Sequence, residues 1–165
     1  MHRLILLRHG KTENRAASGE DFDRALTDRG RADVSLVVSA LAEAGFVPDR
    51  ALVSAAVRTR QTWDVAAPIF PKVALEVRKE LYDADARALL SAGHTPLGKT
   101  VIVVAHNPGM QVLAVTLAQC AQAPSHEARL RAGLSTGAAA VFDFHADTVE
   151  AQGLFYPADF GGGPD

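Results

Sequence analysis

Cys120 is the only cysteine in the 165 residues, so no disulfide can form within the chain and no cysteine-based metal cluster can be built. It lies in an apolar helical pattern, which predicts a small buried thiol. No stretch reaches the roughly 18 uninterrupted apolar residues that a membrane-crossing helix needs. The amino terminus offers one Arg and then Leu4-Ile5-Leu6-Leu7 before Arg8, too little for the apolar core of a secretory signal. An excess of basic charge is missing too. Seventeen Lys and Arg stand against nineteen Asp and Glu for a formal charge of -2, which leaves no broad field for nucleic acid or an anionic membrane. Any anion site must therefore be local. Repeats and linkers are also lacking. These absences predict one cytoplasmic domain over residues 1–160 with a disordered tail at Gly161–Asp165; the sequence does not fix the oligomeric state, with a monomer favoured.

What the chain does contain begins with Leu4-Ile5-Leu6-Leu7-Arg8-His9-Gly10. The apolar run is too short for a helix and reads as a buried strand that delivers Arg8 and His9 to its carboxyl end. Thr27 then caps a helix with apolar positions at Val34, Val37, Val38 and Leu41, stopped at Gly45. Ala51-Leu52-Val53 is a second strand. Ser54 is expected to cap the following helix, which places Arg58 in its first turn and runs to about Ala67. Val73–Val77 reads as a peripheral strand, and Asp83 as the cap of a helix from Ala84 to about Ser91.

Gly98-Lys99 releases the chain into Thr100–Ala105, the most β-branched run and the best candidate for a central parallel strand. It ends at His106. Asn107 as cap and Pro108 at the first position open another helix. Residues 121–134 read as irregular or weakly helical, and Ala138–Phe144 with Thr148–Ala151 as a terminal strand pair. Strands alternating with helices predict an α/β three-layer sandwich, its central sheet mostly parallel and flanked by helices, with one added edge hairpin or antiparallel strand.

Three strand ends thus carry unusual cargo: Arg8-His9, Arg58 and His106. In a parallel sheet these ends share one edge, so two guanidinium groups and two imidazoles can converge on one anion. Such a set suits phosphoryl transfer, with His9 as nucleophile and the arginines and His106 holding the equatorial oxygens. A proton for the leaving group could come from Glu80, Asp83 or Asp85.

These residues resemble the histidine phosphatase superfamily, whose mark is a strand followed by Arg-His-Gly, and within it the small bacterial SixA-like phosphohistidine phosphatase branch. The matching segments are Leu4–Gly10, Asp21–Gly30, Val53–Thr62, Leu81–Ala84 and Val103–Gly109, with a weaker echo at Ser135–Ala138. The resemblance implies a phosphoglycerate mutase-like fold, His9 as the phosphorylated nucleophile, Arg8, Arg58 and His106 as the rest of the phosphate pocket, and neither metal nor other cofactor. It makes Glu80 the best match to the proton donor of larger relatives. One position departs: Arg15 stands where relatives of the mutase type carry Asn, and Asn14 comes one residue early.

The chain has no room for the long insertions that close over small substrates in the mutases and sugar phosphatases it resembles. A short, open edge suits a phosphorylated protein, above all phosphohistidine. The alternatives are a broad small-molecule phosphomonoesterase and a regulatory module that binds phosphate or a phosphoprotein without turnover.

Overall fold

The computed structural model describes residues 2–94 and 99–164. Gly98, expected to release the chain into a strand, and Asp165, the end of the expected tail, lie outside them. The strands are β1 (His2–Arg8), β2 (Arg50–Ser54), β3 (Ala74–Arg78), β4 (Thr100–Ala105), β5 (Ala139–Phe144) and β6 (Val149–Phe155). Among the described residues they form one six-stranded sheet in the order β3-β2-β4-β1-β5-β6. β1 and β2 both pair in parallel with β4, and β3 in parallel with β2. β5 runs antiparallel to β1, and β6 antiparallel to β5, which makes the added edge hairpin. The helices are α1 (Asp28–Glu43), α2 (Val57–Ala66), α3 (Ala86–Gly93), α4 (Gly109–Cys120) and α5 (Pro124–Ala132).

The continuous apolar runs of β1 and β4 follow from burial on both faces. Leu4 and Leu6 pack with Val101, Val103 and Phe142 beneath α3, α4 and α5. Ile5 and Leu7 pack with Ile102, Val104 and Val141 beneath α1 and α2. The result is the three-layer α/β sandwich that the alternation of elements predicts. Each of these side chains is fully buried, worth about 1.5–3 kcal/mol apiece relative to exposure. β3 is the other edge and is the least covered, with Leu75 and Val77 about half exposed.

Local signals place α1 well. Thr27 Oγ1 accepts from the Gly30 N–H at 2.9 Å, and the chain turns away from the helix through Gly45 at φ +83°. The loop after β1 crosses this first turn closely: a Cβ on Gly10 would lie 2.7 Å from the Gly30 carbonyl oxygen.

Elsewhere tertiary contacts override local propensity. Ser54 does not cap α2; it ends β2, fully buried, and Ala56 precedes the helix without a side-chain cap. α3 starts two residues later than expected because Asp85, not Asp83, accepts from the Ala88 N–H at 2.8 Å. Asn107 leaves the cap position to Pro108, since its side chain is drawn to the Leu134 carbonyl. Residues 124–132 form a regular helix, anchored by the fully buried Leu130 and paired outside through Arg131 and Glu127 at 2.8 Å.

Cys120 is exposed rather than buried, because Leu117 and Ala118 take the core-facing positions in the last turn of α4. Where a disordered tail is expected, the Gly163 N–H donates to Asp33 of α1 at 3.3 Å, and Arg29 donates to the Pro164 carbonyl. Among the described residues, no helix is long and apolar enough to cross a membrane.

Candidate active site

The carboxyl ends of β1, β2 and β4 meet side by side. Arg8 ends β1 in register with Ala105, the last residue of β4, and the His9 N–H donates to the Ala105 carbonyl at 3.3 Å. On the other side Gly137, at φ +76°, donates its N–H to the His9 carbonyl at 2.8 Å. The backbone around His9 is thereby held from the end of β4 on one side and from the turn before β5 on the other. Gly10 is held as well, its N–H donating to Thr62 Oγ1 of α2 at 3.1 Å.

The His9 ring is buried, and its Nδ1 lies 2.8 Å from the Gly10 carbonyl oxygen. A carbonyl only accepts, so Nδ1 carries the proton and the lone pair resides on Nε2. Burial pushes the His9 pKa down to about 3; the Gly10 bond opposes that shift, and His106, Arg58 and Arg8 reinforce it. The imidazole is therefore neutral across the physiological range, as a nucleophile must be.

The His106 ring centroid lies 5.4 Å from that of His9. Its Nε2 shares a 2.7 Å hydrogen bond with Ser54 Oγ, while Nδ1 is buried without a hydrogen-bond partner among the described residues. Burial, then Arg58, lowers the His106 pKa to about 4. The Leu134 carbonyl gathers two more residues of the site, accepting from Arg8 Nη1 at 2.8 Å and Asn107 Nδ2 at 3.1 Å. Arg58, in the first turn of α2, is only 6 % exposed, and its guanidinium grips Asp21. Nη1 donates to the Asp21 backbone carbonyl at 2.8 Å and Nη2 to its Oδ2 at 3.0 Å. Arg24 donates to Asp21 Oδ1 at 2.9 Å and to Thr12 Oγ1.

Arg8, His9, Arg58 and His106 all line one cleft of about 460 Å³, together with Lys11, Thr12, Asn14, Arg24, Asn107 and Thr136. The sequence-predicted quartet is thus brought together. Glu80 is not: its side chain is 70 % exposed and lies 4.0 Å from Arg78, and it does not line the cleft. Asp83 and Asp85 line a separate groove of about 420 Å³ that shares His106 and Asn107 with the cleft. Asn14 reaches the cleft although it stands one residue from the place suggested by the mutases, whereas Arg15 does not line it.

Sequence reasoning missed Ser54 and Asp21. Ser54 is read as a cap because capping and side-chain support use the same hydroxyl. Asp21 lies in a segment that matches the family, and Arg24 is the residue that could have pointed to it.

A cleft lined by Arg8, Lys11, Arg24, Arg58 and two neutral imidazoles is built to hold a multiply charged anion beside a nucleophilic nitrogen. Comparison with known proteins agrees. A solved structure of a candidate phosphohistidine phosphatase SixA from Agrobacterium tumefaciens superposes with a TM-score of 0.82 at 29% identity, covering 94% of this chain and 98% of that one. The structure of the protein histidine phosphatase SixA complexed with tungstate shares the fold, with a TM-score of 0.70 at 22% identity over 95% of this chain and 98% of that one.

An uncharacterised chloroplastic protein of Arabidopsis thaliana is 43% identical over 60 residues, 36% of this chain and 28% of the relative's length. The chain thus spans little more than a quarter of that curated relative. The sequence model of the histidine phosphatase superfamily, branch 1, matches residues 4–89, more than half of the chain and the part that carries Arg8, His9 and Arg58. With this match, the SixA-like fold and the strand-end histidine between arginines, the chain belongs to the histidine phosphatase superfamily.

Proposed function

We propose that the protein is a metal-independent phosphatase that removes a phosphoryl group through a covalent phosphohistidine on His9, acting on phosphohistidine of a protein. In the first step His9 Nε2 attacks phosphorus as the bond to the leaving group breaks. Arg8, Arg58 and His106 hold the equatorial oxygens while charge spreads over them. In the second step water attacks the phosphorus of phospho-His9, which releases inorganic phosphate and restores the neutral imidazole. The protein histidine phosphatase SixA, which shares this fold, has been solved in complex with tungstate, an oxyanion, and that supports an oxyanion as the ligand here.

One observation carries the choice of substrate: among the described residues, no carboxyl side chain lines the cleft that holds His9. A phosphate ester needs an acid to protonate its leaving oxygen, whereas phosphohistidine takes a proton from solvent on the ring nitrogen not bonded to phosphorus and departs as a neutral imidazole. A histidine-linked phosphoryl group therefore matches a cleft without an acid. The adjoining groove past Tyr82 and Val112 supports a leaving group as bulky as a polypeptide. Metal independence is supported by the lining itself, because four basic side chains oppose a divalent cation there.

The experiment is hydrolysis of a histidine-phosphorylated protein and of an aryl phosphate, with chelator present, by wild type and His9→Ala. Turnover that survives chelation and vanishes in the variant is the expected result, with the phosphoprotein preferred. Preference for the aryl phosphate points to a small-molecule phosphomonoesterase. Phosphate binding without turnover of either substrate points to a regulatory module.

A further inference from the structure

The geometry points to Asp21 as the residue that positions Arg58 for the phosphoryl group, a role that rests on the phosphatase reading above. Asp21 lies in a short 3-10 turn, Asp21–Asp23, far in sequence from the strand ends. Its side chain is 51% exposed, yet it makes three separate side-chain contacts. Oδ2 accepts from Arg58 Nη2 at 3.0 Å and from the Tyr82 hydroxyl at 2.6 Å, and Oδ1 accepts from Arg24 Nη1 at 2.9 Å. The Asp21 backbone carbonyl accepts from Arg58 Nη1 as well. One residue thus ties together the turn after the β1 loop, the first turn of α2 and the segment before α3.

A buried guanidinium is costly without a counter-ion and loses direction when its partners can rotate. Asp21 supplies the counter-ion to Arg58 and engages both η nitrogens, so the fork cannot turn while its other N–H donors remain for a ligand in the cleft. Tyr82 braces the same assembly. Its ring centroid lies 5.7 Å from the Arg58 guanidinium carbon and 5.5 Å, edge-on, from the His106 ring. The Tyr82 hydroxyl, then Arg24, holds the Asp21 carboxyl well below the usual carboxylate range against the opposing effect of burial, with Arg58 adding to the shift. An always-ionised carboxylate does not donate a proton, so its contribution is orientation and not acid catalysis.

The test sets Asp21→Asn and Asp21→Ala beside wild type in turnover of an aryl phosphate and in equilibrium binding of inorganic phosphate. Asn keeps an acceptor and loses the charge; Ala loses both. We expect Ala to lower kcat about 10-fold while phosphate binds at least as tightly as to wild type, since a repelling carboxylate is gone, and Asn to keep most of kcat.

A kcat in Asp21→Ala within about 2-fold of wild type, or equal losses in the two variants, overturns the proposal. Joint loss of kcat, phosphate binding and unfolding temperature also overturns it by marking a purely structural role. Should wild type bind phosphate without turning over either substrate, the phosphatase reading fails on its own, and a double-mutant cycle of Asp21→Ala with Arg58→Ala in phosphate binding decides. Coupling of about 3-fold or more upholds positioning, and additivity overturns it.

Discussion

His9 Nδ1 donates to the carbonyl oxygen of Gly10, the residue that follows it, at 2.8 Å. The bond selects a tautomer and leaves the Nε2 lone pair for chemistry. Rapid mixing with substrate followed by an alkaline quench, which spares the acid-labile phosphoramidate, is expected to trap one phosphoryl group on His9 at Nε2. Phosphorus NMR separates the two ring positions. An adduct on Nδ1, or on a different residue, would rule out the assignment.

Two buried neutral histidines also make the fold sensitive to acid. The folded-state pKa values of His9 and His106, about 3 and about 4, lie below the ordinary 6.5. Their depressed pKa values favour the folded state fully above about pH 6.5, and this contribution is lost as pH falls toward the folded values. From pH 7 to pH 5 the loss for His9 alone is roughly 2 kcal/mol. Urea unfolding of wild type is expected to show that decline, and His9→Ala a smaller one. An identical decline in both would mean that His9 is not held neutral by the fold.

Ser54 is the support of His106, at 2.7 Å from its Nε2. Ser54→Ala removes that partner inside the core, where an unsatisfied polar atom costs about 1–3 kcal/mol. The expected result is a less stable protein whose turnover falls about 10-fold as the His106 ring loses its orientation. Ser54→Thr, which keeps the hydroxyl, is the control. Full turnover in Ser54→Ala would show that the ring is held by packing alone.

Glu80 stands outside the cleft, with its side chain 70 % exposed. Glu80→Gln is accordingly expected to keep turnover within about 2-fold and to leave the high-pH limb of the rate profile in place. Loss of that limb in the variant would restore Glu80 as the proton donor and require the segment before α3 to move during the reaction.

Much of this molecule follows from short-range pattern. The run Leu4–Leu7 and the β-branched Thr100–Ala105 can only be buried strands, and what stands after such strands must emerge at their carboxyl ends. That logic brings Arg8, His9 and His106 to one edge, and the turn from β2 into α2 adds Arg58. Thr27 and Gly45 mark the ends of α1 because capping is also a local matter.

What the tertiary structure decided are the groups whose chemistry is satisfied at long range. Ser54 can cap a helix or support a ring, and only the arrival of β4 beside β2 presents it with His106, 52 residues away. Asp21 meets Arg58 and Tyr82 across 37 and 61 residues, a pairing that no periodicity encodes. Cys120 faces outward because the rotation of α4 gives its core positions to Leu117 and Ala118. Glu80 is an acid by composition and a surface residue by position. Residue type states which chemistry a side chain is able to perform; the partners brought to it by the fold determine which one it performs.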